Sequence, residues 1–374
     1  MSESRIEQAD LSELPDEVQS SRRARRQLRK QRKTRRIAFT VIGSILAVLV
    51  AAAGIGYAML LNTYNQVERV SIRMDPDLKR PPVIEHENEP PINILLLGSD
   101  TRIGLEHDAS LDEKDSGQTD VIIVAQISPD RQHLTLMSIM RDNWVEVQGV
   151  GEDKINRAIR HGGVPLIVNT VENFIGTRID HVAIVDFTSF AGITDALGGV
   201  TIDNKHEFHN INGTGLTGKR YPFLPGEITL TGDQAIAYVR ERYSFSDGDF
   251  TRVRNQQTFL KGMMKQMLSR DTLSSPDKIM GVFQALQPYL ILDEGLDLNT
   301  AVSLGLELRD LRNDDIEFFT SPTLGGTTAP DGSGDAIVLP RWDDIAKIQE
   351  AFQQGKLYEY AKDLPERSEI KPTS

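Results

Sequence analysis

The sequence contains no cysteine, and only 6% of its 374 residues are aromatic. Without cysteine the chain forms no disulfide, has no thiolate nucleophile and offers no Cys ligands to zinc. It also lacks a P-loop, a G-x-S-x-G motif and an H-E-x-x-H motif, and its seven histidines show no metal-ligand spacing. These absences argue against the commonest nucleotide-binding, serine-hydrolase and zinc-enzyme chemistries. The fold must therefore depend on a hydrophobic core alone.

One long uncharged run lies near the N-terminus. Residues 37–61 carry no charge; as a helix they measure about 37 Å, enough to cross a hydrocarbon core of about 30 Å. Residues 22–36 contain ten Lys and Arg and no acid, so the N-terminus is expected to be cytoplasmic. A cleaved signal peptide is the alternative, but its apolar region is usually only about 7–15 residues long.

Charge divides the chain at this span. Residues 1–36 carry a net charge of +5 and residues 62–374 carry −17. So acidic a domain is not expected to bind nucleic acid. The predicted organisation is a cytoplasmic basic segment (1–36), a transmembrane helix (37–61), an extracytoplasmic connector (62–90), a folded domain (91–364) and a polar tail (365–374).

Strand and helix patterns alternate after residue 91. Apolar runs at 93–98, 120–127 and 133–140 are typical of buried strands, and the last two are joined by a hairpin-type turn. A strong amphipathic helix follows from Asp249 to about Ser269. The predicted fold class is α/β, with a mixed central β-sheet flanked by helices and preceded by the transmembrane helix.

Charged side chains stand at the ends of these strands. Asp100 follows the first strand by two residues, Asp120 opens the second, and Arg141 and Asp142 follow the third. Ligands in α/β proteins collect at strand ends, so Asp100 and Asp120 together suit a hard divalent cation. Each aspartate is equally compatible with a turn or a helix cap, and Arg141 with a structural salt bridge.

The most unusual stretch is YVRERYSFSDGDFTRVRNQQ, which begins at residue 238. It mixes arginines and acids without the three- or four-residue spacing of a solvated helix face. If its first part is extended, Arg240 and Arg242 point to one side. Arg252 and Gln256 share a face of the following helix, which Asp249 begins. The predicted result is a pocket whose guanidinium forks suit phosphate oxygens.

Six stretches in order resemble the LytR–CpsA–Psr (LCP) family of membrane-anchored glycopolymer transferases. They cover about residues 92–270 and read NILLLGSDTR, TDVIIVAQIS, SIMRDNWVEVQG, EDKINRAIRHGG, HVAIVDFTSFAGITDALGGV and LPGEITLTGDQAIAYVRERYSFSDGDFTRVRNQQ. The predicted single span also fits the family. Two departures are modest: Met140 stands where many members have proline, and Arg254 is an additional cation.

The resemblance implies a Mg-dependent glycopolymer phosphotransferase, that is, a peptidoglycan–glycopolymer ligase. Such enzymes take a glycopolymer from a polyprenyl-pyrophosphate carrier, attach it to peptidoglycan through a phosphodiester and release polyprenyl phosphate. The resemblance makes Asp100 and Asp120 ligands of Mg²⁺ or Mn²⁺, and makes Asp249 the acid that orients the arginines or the metal site. It assigns the pyrophosphate clamp to Arg141, Arg240, Arg242, Arg252 and Gln256.

The same resemblance implies a tunnel between sheet and helices for the polyprenyl tail, with Phe187, Phe190 and Phe259 as candidate lining residues. Asp142 or Asp249 is the candidate acceptor of the proton from the attacking sugar hydroxyl. The expected location is the cell membrane, with a single pass, a cytoplasmic N-terminus and an extracytoplasmic catalytic domain.

Three alternative functions stay open at this level. A polyprenyl-pyrophosphate binding or sensing protein would need the same clamp without a transfer step. A pyrophosphatase would use water as the acceptor. A DNA-binding regulator would require the acidic domain to lie inside the cell. The polymer also stays open, because teichoic acid, arabinogalactan and capsule share this donor chemistry.

Overall fold

The structure is a computed structural model. It describes residues 64–86, 89–99, 119–186, 188–211, 215, 217–273 and 275–364. The chain divides into two units, residues 1–62 and 63–374. Among the described residues, no helix combines the length and hydrophobicity needed to cross a membrane. The predicted basic segment (1–36), span (37–61) and tail (365–374) lie outside the described residues.

A seven-stranded mixed sheet forms the centre of the fold and confirms the predicted α/β class. Three neighbouring pairs in it are parallel and three are antiparallel. In spatial order the strands are β1 (Glu68–Val70), β12 (Leu290–Asp293), β7 (His181–Asp186), β2 (Ile92–Ser99), β3 (Thr119–Ile127), β4 (Leu134–Ile139) and β13 (Ile316–Thr320).

The strand directions bring several chain ends to one edge of this sheet. β2 is parallel to β7, β4 is parallel to β13, and β3 is antiparallel to both β2 and β4. The ends of β2, β4, β7 and β13 therefore lie beside the start of β3. In register, Ser99 is opposite both Thr119 and Asp186, and Ile139 is opposite Ile122. We refer to this end as the site edge.

The helices of the described chain lie around the sheet. They are α1 (Ala158–Ile175), α2 (Thr188–Ala196), α3 (Gly232–Arg240), α4 (Asp249–Met267), α5 (Arg270–Leu273), α6 (Pro276–Leu286), α7 (Leu298–Glu307), α8 (Trp342–Gln354) and α9 (Leu357–Lys362). α1 is kinked at Gly162 and at Gly163, where φ is 65° and ψ is −160°. Its regular part therefore begins close to Pro165, a residue that suits the first position of a helix.

Four two-stranded ribbons complete the described elements. They are β5 (Trp144–Val147) with β6 (Gly151–Lys154), β8 (Val200–Asn204) with β11 (Gly226–Leu230), β9 (Phe208–His209) with β10 (Pro222–Phe223), and β14 (Thr323–Thr328) with β15 (Ala336–Pro340). Residues 203–227, a mostly polar stretch, contain several of these strands. They were missed because strands of two to five residues are too short to show a period.

One face of the central sheet is sealed. Leu95 and Leu97 of β2 are 0% and 1% exposed, and Val124 of β3 is fully buried. Helices α1 and α8 cover them with a continuous apolar layer that includes Phe174 and Phe352. We refer to this side as the sealed face, and it supplies most of the hydrophobic core.

The opposite face is covered less completely. Five apolar side chains on this face are only half-buried. They are Ile94, Leu96, Val121, Leu134 and Phe318. Helix α4 lays Leu260, Met264 and Leu268 against them. We refer to these sheet residues as the open face.

Phe259 lies elsewhere than the resemblance implies. It is fully buried in a separate core with Val200, Ile202 and Tyr238, whereas the next residue, Leu260, packs against the open face. It is therefore not a lining residue of the open face. Phe187 and the side chain of Phe190 lie outside what the structure describes.

The segment predicted as a connector (62–90) belongs to the folded unit where it is described. It supplies the edge strand β1, and Tyr64 is buried and donates from its hydroxyl to the Leu296 carbonyl over 2.7 Å. Arg80 forms an ion pair with Glu172, which is buried in α1. Scattered apolar residues such as Met74 pack against the core, but their irregular spacing hides this role in the sequence.

Candidate active site

Arg141 reaches two acidic side chains from the end of β4. Its Nη1 contacts Oδ1 of Asp120, at the start of β3. Its Nε donates to Oδ2 of Asp249 over 3.0 Å. All three side chains are mostly buried, with 14–18% exposed. The two antiparallel strands place Arg141 and Asp120 together because one ends where the other begins.

Asp249 gathers two further arginines. It is the first residue of α4, and Arg252, one turn later, donates from Nη2 to its Oδ2 over 2.8 Å. Arg242 Nη1 lies 3.6 Å from its other oxygen. Arg242 also donates from Nη2 to the Tyr243 hydroxyl over 2.8 Å. We call the group of Arg141, Arg242, Arg252, Asp120 and Asp249 the arginine clamp.

The charges of the clamp keep the Asp249 carboxylate ionised. Burial opposes the charged carboxylate, but attraction to Arg252, Arg141 and Arg242 outweighs it and lowers the pKa of Asp249 below its usual range. Burial also opposes charge on Arg141, and there attraction to Asp249, Asp120 and Asp142 raises its pKa. Arg252 is the exception, because burial and repulsion from Arg141 lower its pKa.

The clamp has more positive than negative charge. Its three arginines exceed its two aspartates by one charge, and Arg252 is buried. The Nε atom of Arg252 is buried without a hydrogen-bond partner. An unpaired buried donor beside a surplus cation is costly, so the arrangement favours an anion that accepts from these guanidiniums.

The other predicted clamp residues have different placements. Arg240 is the last residue of α3 and is half-buried. Because α3 ends at Arg240 and the next residue, Glu241, is extended, Arg240 and Arg242 are not on one extended strand. Gln256 is buried and donates from its amide to the Val239 carbonyl over 3.2 Å. Its contact tethers α4 to the end of α3. A direct role of Arg240 or Gln256 toward a ligand stays a prediction.

Two supporting residues were missed by sequence analysis. Gln257 is buried and donates to Ser138 Oγ over 2.9 Å and to the Phe319 carbonyl over 3.1 Å. It therefore ties α4 to β4 and β13 at the site edge. Glu241, between the two arginines, is fully buried and accepts from the amides of Ile211 and Ser244. The only sequence feature that pointed to Gln257 and Glu241 was that both lie in the arginine-rich stretch that begins at residue 238.

A second charged group adjoins the clamp through Asp142. Arg141 Nε lies 3.5 Å from Asp142 Oδ2, and Lys154 Nζ lies 3.3 Å from Oδ1. Lys154 continues toward Asp335 at 3.9 Å. Asp142 is therefore held between two cations. Lys154 lies in the family-like stretch EDKINRAIRHGG, but its partner Asp335 could not be found from sequence.

The predicted metal site is described only in part. Asp100 lies outside the described residues, while Asp120 supplies a hard carboxylate donor at the site edge and also contacts Arg141. Within the described ranges no group of three or more His, Cys, Asp or Glu is arranged to hold a metal ion. The donor chemistry of Asp120 suits Mg²⁺, provided that ligand oxygens complete the shell.

Together, the mixed sheet and the arginine clamp define an α/β protein with a cluster of charged side chains at one edge of its central sheet. Comparison with known proteins identifies its relatives. The LytR_cpsA_psr family model matches residues 57–351, and the chain belongs to this family.

Two curated relatives carry the name polyisoprenyl-teichoic acid–peptidoglycan teichoic acid transferase TagU. The one from Bacillus anthracis strain CDC 684 is 34% identical over 71% of this chain and 82% of its own length. The one from Halalkalibacterium halodurans is 33% identical over 68% of this chain and 81% of its own length.

Solved structures share the fold. B. subtilis TagV superposes with a TM-score of 0.59 at 23% identity, covering 72% of this chain and 98% of TagV. TagT bound to LIIa-WTA gives a TM-score of 0.57 at 22% identity, covering 77% of this chain and 99% of TagT. At this identity the likeness supports the fold alone.

Proposed function

We propose that the protein is a membrane-anchored phosphotransferase that moves a glycopolymer from a polyprenyl-pyrophosphate carrier to peptidoglycan. The observation that carries the proposal is the arginine clamp, with its surplus charge and the unpaired Nε of Arg252. A diphosphate supplies the oxygen acceptors that these guanidiniums lack. The names of the TagU relatives support a teichoic acid as the polymer.

The reaction forms one P–O bond and breaks another. A sugar hydroxyl of peptidoglycan attacks the phosphorus that carries the polymer, and the bond from that phosphorus to the oxygen of polyprenyl phosphate breaks. The polymer is then linked by a phosphodiester, and polyprenyl phosphate leaves. Arg141 and Arg252 stabilise the charge that develops on the phosphate oxygens, which is the main requirement of phosphoryl transfer.

Neither of the two candidate proton acceptors, Asp249 and Asp142, is assigned that role. The pKa of Asp249 is lowered by Arg252, Arg141 and Arg242 against the effect of burial, so its carboxylate binds a proton poorly at neutral pH. Asp142 lies between Arg141 and Lys154. We assign both carboxylates to positioning the cations, and the hydroxyl proton to solvent, since a loose transition state needs little base assistance.

Mg²⁺ or Mn²⁺ is proposed as the cofactor. Asp120 would hold it together with Asp100, and pyrophosphate oxygens would complete the shell. When bound, the ion neutralises charge on the diphosphate and on the leaving phosphate. The contact of Arg141 with Asp120 then links the clamp to the cation site.

The open face is proposed to receive the polyprenyl tail. Its half-buried apolar side chains run along β2, β3 and β4 toward the site edge, and α4 covers them from the clamp side. A bound isoprenoid would complete their burial, at about 25 cal/mol per Å² of apolar surface. The tail would then lie next to a pyrophosphate bound by the clamp.

A cell-membrane location is proposed from the sequence. The uncharged run at 37–61 would anchor the chain, and the basic residues at 22–36 would keep the N-terminus in the cytoplasm. The domain at 91–364 would then act outside the membrane. There it meets a lipid-borne donor and its peptidoglycan acceptor.

Reconstituted transfer tests the proposal. The full-length chain is supplied with a ³²P-labelled polyprenyl-pyrophosphate teichoic acid precursor and peptidoglycan, with and without Mg²⁺. Polymer attachment is expected for the wild type and is expected to be lost in Arg141→Ala. Arg254→Ala is the matched control, because Arg254 pairs with Asp247 and lies outside the clamp. Full transfer by Arg141→Ala would overturn the site assignment.

The same assay separates the alternative functions. Glycan phosphate together with polyprenyl phosphate, and no attached polymer, would identify a pyrophosphatase. Binding of the donor without turnover would identify a sensing protein. Each of these results would contradict the transfer step but preserve the clamp as a diphosphate site.

A further inference from the structure

Helix α7 presents apolar side chains that no described part of the chain covers. Leu298 is the only buried residue among its ten. Val302 and Leu306 are 41% and 58% exposed, and because they are four residues apart they lie on one face. Residues 298–306 carry no charge, and the single charged side chain of the helix is Glu307, at its last position. A helix that faces water normally has a polar outer side, so α7 suits an apolar environment.

The start of α7 is fastened to the place where the described chain begins. The Tyr64 hydroxyl donates to the Leu296 carbonyl over 2.7 Å, and Arg69 Nη1 donates to the same oxygen over 2.6 Å. Leu296 precedes α7 by two residues, and Asp297 caps the helix by accepting from the Thr300 amide over 2.7 Å.

The sequence before Tyr64 indicates what lies close to this point. The uncharged run at 37–61 ends three Cα steps before Tyr64. At 3.8 Å per step, they cover at most about 11 Å. A bilayer that contains this run would therefore have its surface close to Tyr64 and to the start of α7.

The far end of α7 is also fixed. Glu307 forms an ion pair with Arg131 at 3.0 Å, in the turn between β3 and β4. That turn and the end of β12 both lie at the edge of the sheet opposite the site edge. α7, about 15 Å long, therefore runs along that opposite edge with both ends anchored to the domain.

We propose that α7 is a lipid-docking helix, whose Val302 and Leu306 insert at the boundary between headgroups and acyl chains. This inference rests on the membrane anchor of the proposed function. Amphipathic helices in this position bind by burying their apolar face in the interface. The open face begins at the same edge, where Leu134 pairs with Ile316, so a polyprenyl chain rising from the bilayer beside α7 meets it directly.

Spin labelling tests the docking, and the absence of native cysteine makes each label unique. The full-length chain is reconstituted in nanodiscs of phosphatidylethanolamine and phosphatidylglycerol with a nitroxide at Leu306→Cys. The matched control is Leu324→Cys. Leu324 is 65% exposed and lies on β14, the strand that comes after β13 has ended at the site edge. Power saturation then compares the access of O₂, which concentrates in acyl chains, with that of a water-soluble nickel chelate.

The label at 306 is expected to favour O₂ and the label at 324 to favour the nickel chelate. Equal, water-like behaviour at both positions would overturn the inference. A short distance between labels at 306 on two chains would do so as well, because a second copy would then cover α7.

A third label separates failure of the docking from failure of the anchor. A nitroxide at Ile45→Cys, inside the uncharged run, is expected to favour O₂. If it does while the label at 306 reports water, only the docking of α7 is wrong. If the label at 45 also reports water, the proposed membrane anchor is wrong as well, and the docking falls with it.

Discussion

The two faces of the central sheet have similar side chains but different cover. Adjacent leucines on β2 illustrate the contrast, since Leu95 is fully buried under α1 and α8 whereas Leu96 is half-buried beneath α4. Burial of apolar area is the main source of stability. The sealed face therefore stabilises the domain, while the open face leaves apolar area uncovered, which the proposed function assigns to the polyprenyl tail.

The largest expected effect is on the sealed face. Leu95→Ala removes a fully buried side chain and is expected to lower the free energy of unfolding by about 2–5 kcal/mol. Urea unfolding measures this. Transfer per folded molecule should be unchanged. A loss below about 1 kcal/mol would mean that this face contributes less to stability than its burial indicates.

The next effect concerns the clamp. Arg252→Ala removes a buried guanidinium that contacts Asp249, and transfer is expected to fall about 10²–10³-fold, in the range found for a transition-state donor. Arg252→Lys keeps the charge but not the planar fork, so only partial rescue is expected. Initial rates at saturating donor measure both variants. Equal activity of Arg252→Lys and wild type would contradict a bidentate role.

A pH-dependent effect of intermediate size follows from Asp249. Its lowered pKa means that it stabilises the fold above its unfolded pKa of about 3.9, and this contribution disappears as the pH falls through the lower folded pKa. Asp249→Asn should cost about 1–3 kcal/mol at pH 7, and the difference from wild type should shrink below about pH 4. Urea unfolding at several pH values measures it; a difference independent of pH would remove the ionised carboxylate from the account.

The smallest stability effect is expected on the open face. Leu96→Ala removes a half-buried side chain and should cost about 1 kcal/mol or less, because less area is lost from the folded state. Its KM for a long-chain polyprenyl donor should rise several-fold, while that for a short-chain donor stays the same. An equal rise for both donors would show that Leu96 does not contact the tail.

Much of this organisation was visible in the sequence because it follows from local patterns. The runs ending near Ser99 and Arg141 show strand periodicity, and antiparallel pairing then brings Asp120 to Arg141. The start of α4 at Asp249 was predicted, since Ser-Asp-Gly precedes it and an amphipathic run follows.

Other features depend on contacts that sequence patterns do not contain. The connector contributes β1 because Glu68–Val70 pairs with a strand more than 200 residues away. Arg240 is the last residue of α3. Helix propensity locates the end of a helix only to within a few residues, so the sequence did not show that Arg240 is helical. Phe259 packs in a core separate from the open face, which the sequence did not show because an aromatic residue fits either apolar core equally well.

The most direct test of the central claim is the stoichiometry of the products. Wild-type enzyme with labelled donor and peptidoglycan should release one polyprenyl phosphate for each polymer attached, with the second phosphate retained in the phosphodiester. Release of inorganic phosphate, or of polyprenyl phosphate without attached polymer, would contradict the proposal that the arginine clamp performs this transfer.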